Sequence, residues 1–182
     1  ALSGGRQDVH TLIMSATPIP RTLSLVLFGH TDISIVDELP PGRKEIKTYL
    51  IHGRKYNDMI VFIKNEIFLG RQAYIVCPLI EDNEGMEAKS AKQMFDELQE
   101  CYPGIRMALI HGKLKNAEKQ EIMDGFSCGK LQILVSTTVI EVGINVPNAT
   151  VMAVMNAERF GLAQLHQLRG RVGRGDEVGG PS

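Results

Sequence analysis

From residue 46 onward the chain repeats one pattern: a short apolar run, then a longer stretch with apolar residues at helical spacing. Ile46–His52, Gln72–Cys77, Arg106–Ile110, Leu131–Val135 and Thr150–Met155 read as strands. Between them, Tyr56–Leu69 carries Met59, Ile60, Ile63 and Ile67 on one side and stops at Gly70. Glu87–Cys101 carries Ala91, Met94, Phe95 and Leu98, and Asn116–Ser127 carries Ile122, Met123 and Phe126 with Asn116 placed to cap it. Runs of roughly four to eight residues suit strands, and apolar residues three and four apart suit helices. Strands alternating with helices require right-handed crossovers, which predicts an α/β fold: a mostly parallel sheet with helices on both faces. Ligands of such sheets sit beyond the carboxyl ends of the strands. That directs attention to Pro78–Glu81, His111–Gly112, Ser136–Thr138 and the segment from Asn156.

Composition narrows the class. With 43% hydrophobic and 23% charged residues and a net charge of -1, the chain is an ordinary globular protein with no global basic signal, so any nucleic-acid contact must be local. Cys77, Cys101 and Cys128 are far apart, with no CxxC pair and no histidine cluster, which predicts buried thiols in a reducing compartment and no metal site. The strongly apolar runs are too short for a membrane span and the N-terminus is not a signal peptide, so a soluble intracellular protein is expected. Before residue 46 the pattern is looser. His10–Met14 reads as a strand, Arg21–Phe28 as a helix closed by Gly29, and Ile33–Val36 as a strand. The run Asp37-Glu-Leu-Pro-Pro-Gly-Arg43 is the best linker.

Two stretches carry chemistry. Ser136-Thr-Thr138 puts three hydroxyls at a strand end, where free backbone N–H groups can take a phosphate or a hydroxyl can cap a helix. His111-Gly112 is a weaker strand-end candidate, since an isolated histidine is often structural. Leu162–Leu168 reads as a helix; wound on through Arg174, unless Gly170 or Gly173 ends it early, it sets Gln164, Gln167, Arg171 and Arg174 on one side and Leu162, Leu165, Leu168 and Val172 on the other. Forked guanidiniums at fixed spacing suit phosphate oxygens. Gly125–Leu131 mimics a phosphate loop, but it has three residues between its glycines and Leu131 after its lysine, where four residues and a Ser or Thr are needed. Asp37-Glu38, at the end of an apolar run, mimics a magnesium-binding pair and reads as linker acids.

Ser15-Ala-Thr17, Ser136–Pro147 and Gln164–Arg174, in this order and spacing, resemble motifs III, V and VI of superfamily 2 helicases. The fuller runs 15–22, 37–43, 76–81 and 157–175 resemble the branch of that superfamily that remodels branched DNA; transcription-repair coupling translocases share part of them. The resemblance implies that residues 1–40 end a first RecA-like motor domain, 41–45 link, and 46–182 form a second, truncated after motif VI and so incomplete at both ends. It implies ATP and Mg2+ as cofactors of the full-length enzyme and branched or duplex DNA as partner, in the bacterial cytoplasm and nucleoid. Arg171 and Arg174 would reach the phosphates, Arg174 as the better arginine finger, with Gln167, Gly143 and Asn145 on the nucleotide side. Ser136, Thr137, Thr138, His111 and Gly112 would contact the DNA backbone, and Ser15 and Thr17 would couple hydrolysis to movement. Arg169 falls among the leucines and stays outside that set. Asn145 stands where the family usually has Asp. No phosphate-loop lysine or Walker B acid precedes motif III, and the wedge domain of such enzymes is absent, so the chain alone is expected to be inactive and to hold no nucleotide tightly. Without the resemblance, a non-catalytic phosphate- or nucleic-acid-binding module, or a motor on another polymer, stays open.

Overall fold

The computed structural model describes residue 34 and residues 46–78, 84–137 and 146–173, with residues 84–91 as backbone only. The chain divides into two units, residues 1–38 and 39–182, and every described residue but Ser34 lies in the second. The strands expected within 10–14 and 33–36 and the helix at 21–28 lie outside the described residues, Ser34 excepted.

The second unit follows the alternation. α1 (Tyr56–Phe68) leads to β1 (Gln72–Val76), α2 (Glu84–Cys101) to β2 (Met107–Ile110), and α3 (Asn116–Ser127) to β3 (Ile133–Ser136). β4 (Ala149–Val154) and α4 (Leu162–Arg169) follow. The four strands are all parallel, in the order β2-β3-β1-β4. Strand side chains alternate between two cores. Ala73, Ile75, Ile133, Val135 and Ala153 face Ile63 and Ile67 of α1 and Leu98 of α2. Tyr74, Ile110 and Leu134 face Met123 and Phe126 of α3, together with Val172 from beyond α4. The sheet is thus covered on both faces, as the alternation requires.

Helix ends follow local chemistry. α1 closes in a Schellman turn: Gly70 N donates to Ile67 O at 3.0 Å and Arg71 N to Glu66 O at 3.1 Å. That turn needs φ of +80° at residue 70, which glycine adopts without a Cβ clash. α3 starts one residue after Lys115, whose N–H donates to Glu118 Oε2 at 2.8 Å, so Glu118 rather than Asn116 caps it. The phosphate-loop mimic at Gly125–Leu131 is the C-terminal end of α3, closed by Gly129 at φ +76°. Carbonyls, not N–H groups, emerge there, and that end repels anions.

Ile46–His52 is not a strand. The period-two pattern cannot supply a neighbour, and among the described residues the sheet ends at β2 and β4. Ile46 is half-buried against the α3-side core, while Tyr49 and Leu50 are 74% and 79% exposed. No described helix is long and apolar enough to cross a membrane.

Candidate functional site

The hydrogen-bond ladder runs one residue past the strands at their carboxyl edge. Cys77 N donates to Ser136 O at 2.8 Å, Thr137 N to Ile110 O at 3.1 Å, and Met155 N to Val76 O at 2.8 Å. This brings His111 and Gly112, after β2, beside Ser136 and Thr137, at the end of β3. Ser136 is the last residue of β3 and wholly buried, so it belongs to the strand and not to the turn expected there. Thr137 is 4% exposed, yet among the described residues its Oγ1 has no hydrogen-bond partner, and neither has His111 Nδ1 next door. Two enclosed, unpaired polar atoms on adjacent strand ends cost stability unless something completes them.

The turn after β2 is fixed by Leu114 N donating to His111 O at 3.2 Å and by Lys119 Nζ donating to Gly112 O at 3.2 Å. Lys113 and Lys115 on this turn are exposed. Sequence reading missed this trio of cations around His111. Its signal was three lysines in seven residues, which the net charge of -1 concealed.

α4 is launched from β4 by a sharp corner. Asn156 adopts φ 48°, ψ 53°, the one non-glycine residue with positive φ among the described residues. Arg159 N donates to Asn156 O at 2.9 Å in the 3-10 turn Ala157–Arg159. Gln164 turns back so that its Oε1 accepts from Gly161 N at 3.0 Å. Gln164 therefore caps its own helix rather than facing a ligand. The helix ends at Arg169, and Arg171 N donates to Leu168 O at 2.9 Å in the following turn. The helix thus matches the Leu162–Leu168 expected, and the face drawn on through Arg174 is not helical after Arg169, because Gly170 begins a turn and Gly173 takes φ +70°. The apolar side fares differently along its length: Leu162 is 86% exposed, while Leu168 and Val172 are buried.

Arg171 thus sits in a turn between two buried anchors, half-buried, with Gln167 exposed one turn earlier. No described carboxylate pairs with the Arg171 guanidinium. Arg169 Nη2, by contrast, donates to Ile46 O at 3.2 Å. No described bond joins Arg171 to the Thr137–His111 group. Arg174, Gly143, Asn145, Thr138, Ser15 and Thr17 lie outside the described residues. No group of three or more metal-ligating side chains occurs among the described residues. The three cysteines are free: Cys77 is buried and Cys101 half-buried, but Cys128, expected inside, is exposed on the turn after α3.

Among the described residues, then, a parallel sheet covered on both faces carries polar groups at its carboxyl edge and an arginine-bearing turn after α4. Residues 54–176 match the model of the helicase conserved C-terminal domain, and the chain belongs to that family. At the level of particular proteins it is similar to ATP-dependent DNA helicase RecG. It is 50% identical to the Bacillus subtilis protein over 171 residues, 93% of this chain and 25% of that relative. It is 51% identical to the Thermotoga maritima protein over 178 residues, 97% of this chain and 23% of the relative. The Escherichia coli K12 protein is 52% identical over 167 residues, 91% of this chain and 24% of the relative. The chain spans about a quarter of the length of these curated relatives. Among solved structures, a variant of Saccharomyces cerevisiae Dbp5 bound to a Gle1 variant and IP6 superposes with a TM-score of 0.55 at 19% identity, over 91% of this chain and 41% of that one. This supports the RecA-like fold alone.

Proposed function

We propose that this chain is the part of an ATP-dependent DNA helicase, RecG-like in kind, that supplies the second-domain half of the ATP site and a DNA-backbone contact. In that reading residues 1–40 end the first motor domain and residues 46–182 form most of the second, and the full-length enzyme remodels branched DNA. The observation that carries it is Arg171. A half-buried guanidinium without a carboxylate partner among the described residues, held between buried Leu168 and Val172, is suited to an anion that arrives from outside the unit. ATP with Mg2+ is that anion in this reading, supplying the terminal phosphates that Arg171 and Arg174 would hold, with Gln167, Gly143 and Asn145 beside them. Asn145 lacks the charge of the Asp usual there, which weakens its hold on a motif VI arginine.

The strand-end group serves the DNA. Thr137 Oγ1 and His111 Nδ1, both unpaired, and Lys113, Lys115 and Lys119 around them suit a phosphate backbone, with Gly112 and Thr138 as close-approach and hydroxyl contacts. Such contacts position a strand without reading its sequence. Ser136, enclosed in β3, contributes by fixing Thr137. Ser15 and Thr17 would couple hydrolysis to movement between the domains.

In the full-length protein, Arg171→Ala or Arg174→Ala should lower DNA-stimulated ATP turnover by about a thousandfold or more, the scale of an arginine finger. Steady-state ATPase on a forked substrate measures this, and unimpaired variants overturn the assignment. This chain alone, which has no GxxxxGK[ST] segment, should show no turnover.

A further inference from the structure

Arg169 is not one of the phosphate-facing arginines, yet the structure gives it a definite partner. Its Nη2 donates at 3.2 Å to the carbonyl of Ile46, 123 residues earlier in the chain. Ile46 is held a second time: its side chain packs against the core cluster that contains Val172. Arg171 lies between these two attachments, Arg169 on one side and Val172 on the other. Residues 47–52 are exposed and form no ladder, so Ile46 is where, among the described residues ahead of α1, the chain is fastened.

We propose that Ile46 and Arg169 form a latch that ties the segment ahead of α1 to the turn presenting Arg171, with Arg169 as a positioning residue. Displacing Ile46 pulls on its carbonyl and on its side chain, which packs against the cluster that includes Val172. Both ends of the Arg171 turn then move together. A forked guanidinium suits this role because it keeps its charge and offers several donors to one carbonyl while the backbone shifts. The helix end adds a reason for a cation here, since Arg169 lies in the carbonyl-rich last turn of α4. The functional consequence of the latch rests on the helicase reading above; its existence does not.

Two measurements on the full-length protein separate the claims. In hydrogen exchange read by mass spectrometry, Arg169→Ala should speed exchange in residues 46–52, and Ile46→Ala should speed it in residues 162–173. No change in either direction overturns the latch whatever the activity. In ATPase assays, Arg169→Ala should lower the DNA-stimulated kcat about tenfold, the scale of one charge-assisted hydrogen bond. The KM for ATP and the DNA-free rate should hold, and Arg169→Lys should restore part of the loss. An equal fall in both rates, with a lower Tm, overturns the positioning role in favour of a merely structural one. A wild-type protein whose ATPase ignores DNA overturns the helicase reading and leaves the latch to be judged by exchange alone.

Discussion

The Gln72 amide makes three hydrogen bonds from a buried position. Its Nε2 donates to Phe126 O at 2.6 Å and to Leu131 O at 2.7 Å, and its Oε1 accepts from Asn148 at 3.4 Å. Asn148 also donates to Gly70 O at 2.8 Å. Gln72 therefore joins the end of α3 to the starts of β1 and β4 while it is itself 3% exposed. Its substitution by an apolar residue of similar size removes this donor from the half-buried Leu131 carbonyl, while Phe126 O keeps its bond from Gly129 N at 3.1 Å. Gln72→Leu should destabilise the unit by about 1–3 kcal/mol, the cost of one unsatisfied buried group. Urea unfolding measures this, and a change within error would show that the Leu131 carbonyl finds another partner. All of this lies at the amino ends of the strands, opposite the polar edge, so it serves stability and not ligand contact.

Between elements, the corner from β4 to α4 is the most constrained connection. Asn156 occupies the left-handed region, where a β-branched side chain clashes and glycine does not. Asn156→Gly should keep stability within about 1 kcal/mol, whereas Asn156→Val should cost about 1–2 kcal/mol or force the corner open. Thermal melts of the two variants compare them, and equal Tm values would mean that the corner is not set by this residue. The same connection explains why α4 is so short. With Gln164 spent on the N-terminal cap and Gly170 opening a turn, Leu162–Arg169 is only long enough to seat Leu168 and deliver Arg171.

For the whole unit, burial decides the chemistry of groups that look alike in the sequence. Burial pushes the Cys77 thiol up to about 11 from 9.0, while Cys128 is exposed. A thiol-specific reagent at pH 8 should therefore label Cys128 first and Cys77 last, as peptide mapping would read. The raised Cys77 value also sets a sign. The folded state keeps the proton that the unfolded chain gives up, so the stability this contributes is complete below about pH 9 and lost as pH rises towards 11. Cys77→Ala should flatten that part of the alkaline stability curve. Burial likewise raises Tyr102 and Tyr56, so a residual slope should remain.

The alternation of apolar runs and helical spacing by itself determined the parallel α/β architecture, the order of its elements and the inward residues of α1 and α3, because those depend on local periodicity. It also located the strand-end polar groups and the arginine segment, since motifs are contiguous. Tertiary structure alone decided the rest. Ile46–His52 has a strand's pattern but gains no neighbour in the described sheet. Gln164 has a ligand's spacing but is taken by Gly161 N. Arg169 has no evident partner along its helix but finds the carbonyl of Ile46 from far down the chain. In each case the deciding atom is distant in sequence or set by one turn's geometry, and periodicity carries no information about either.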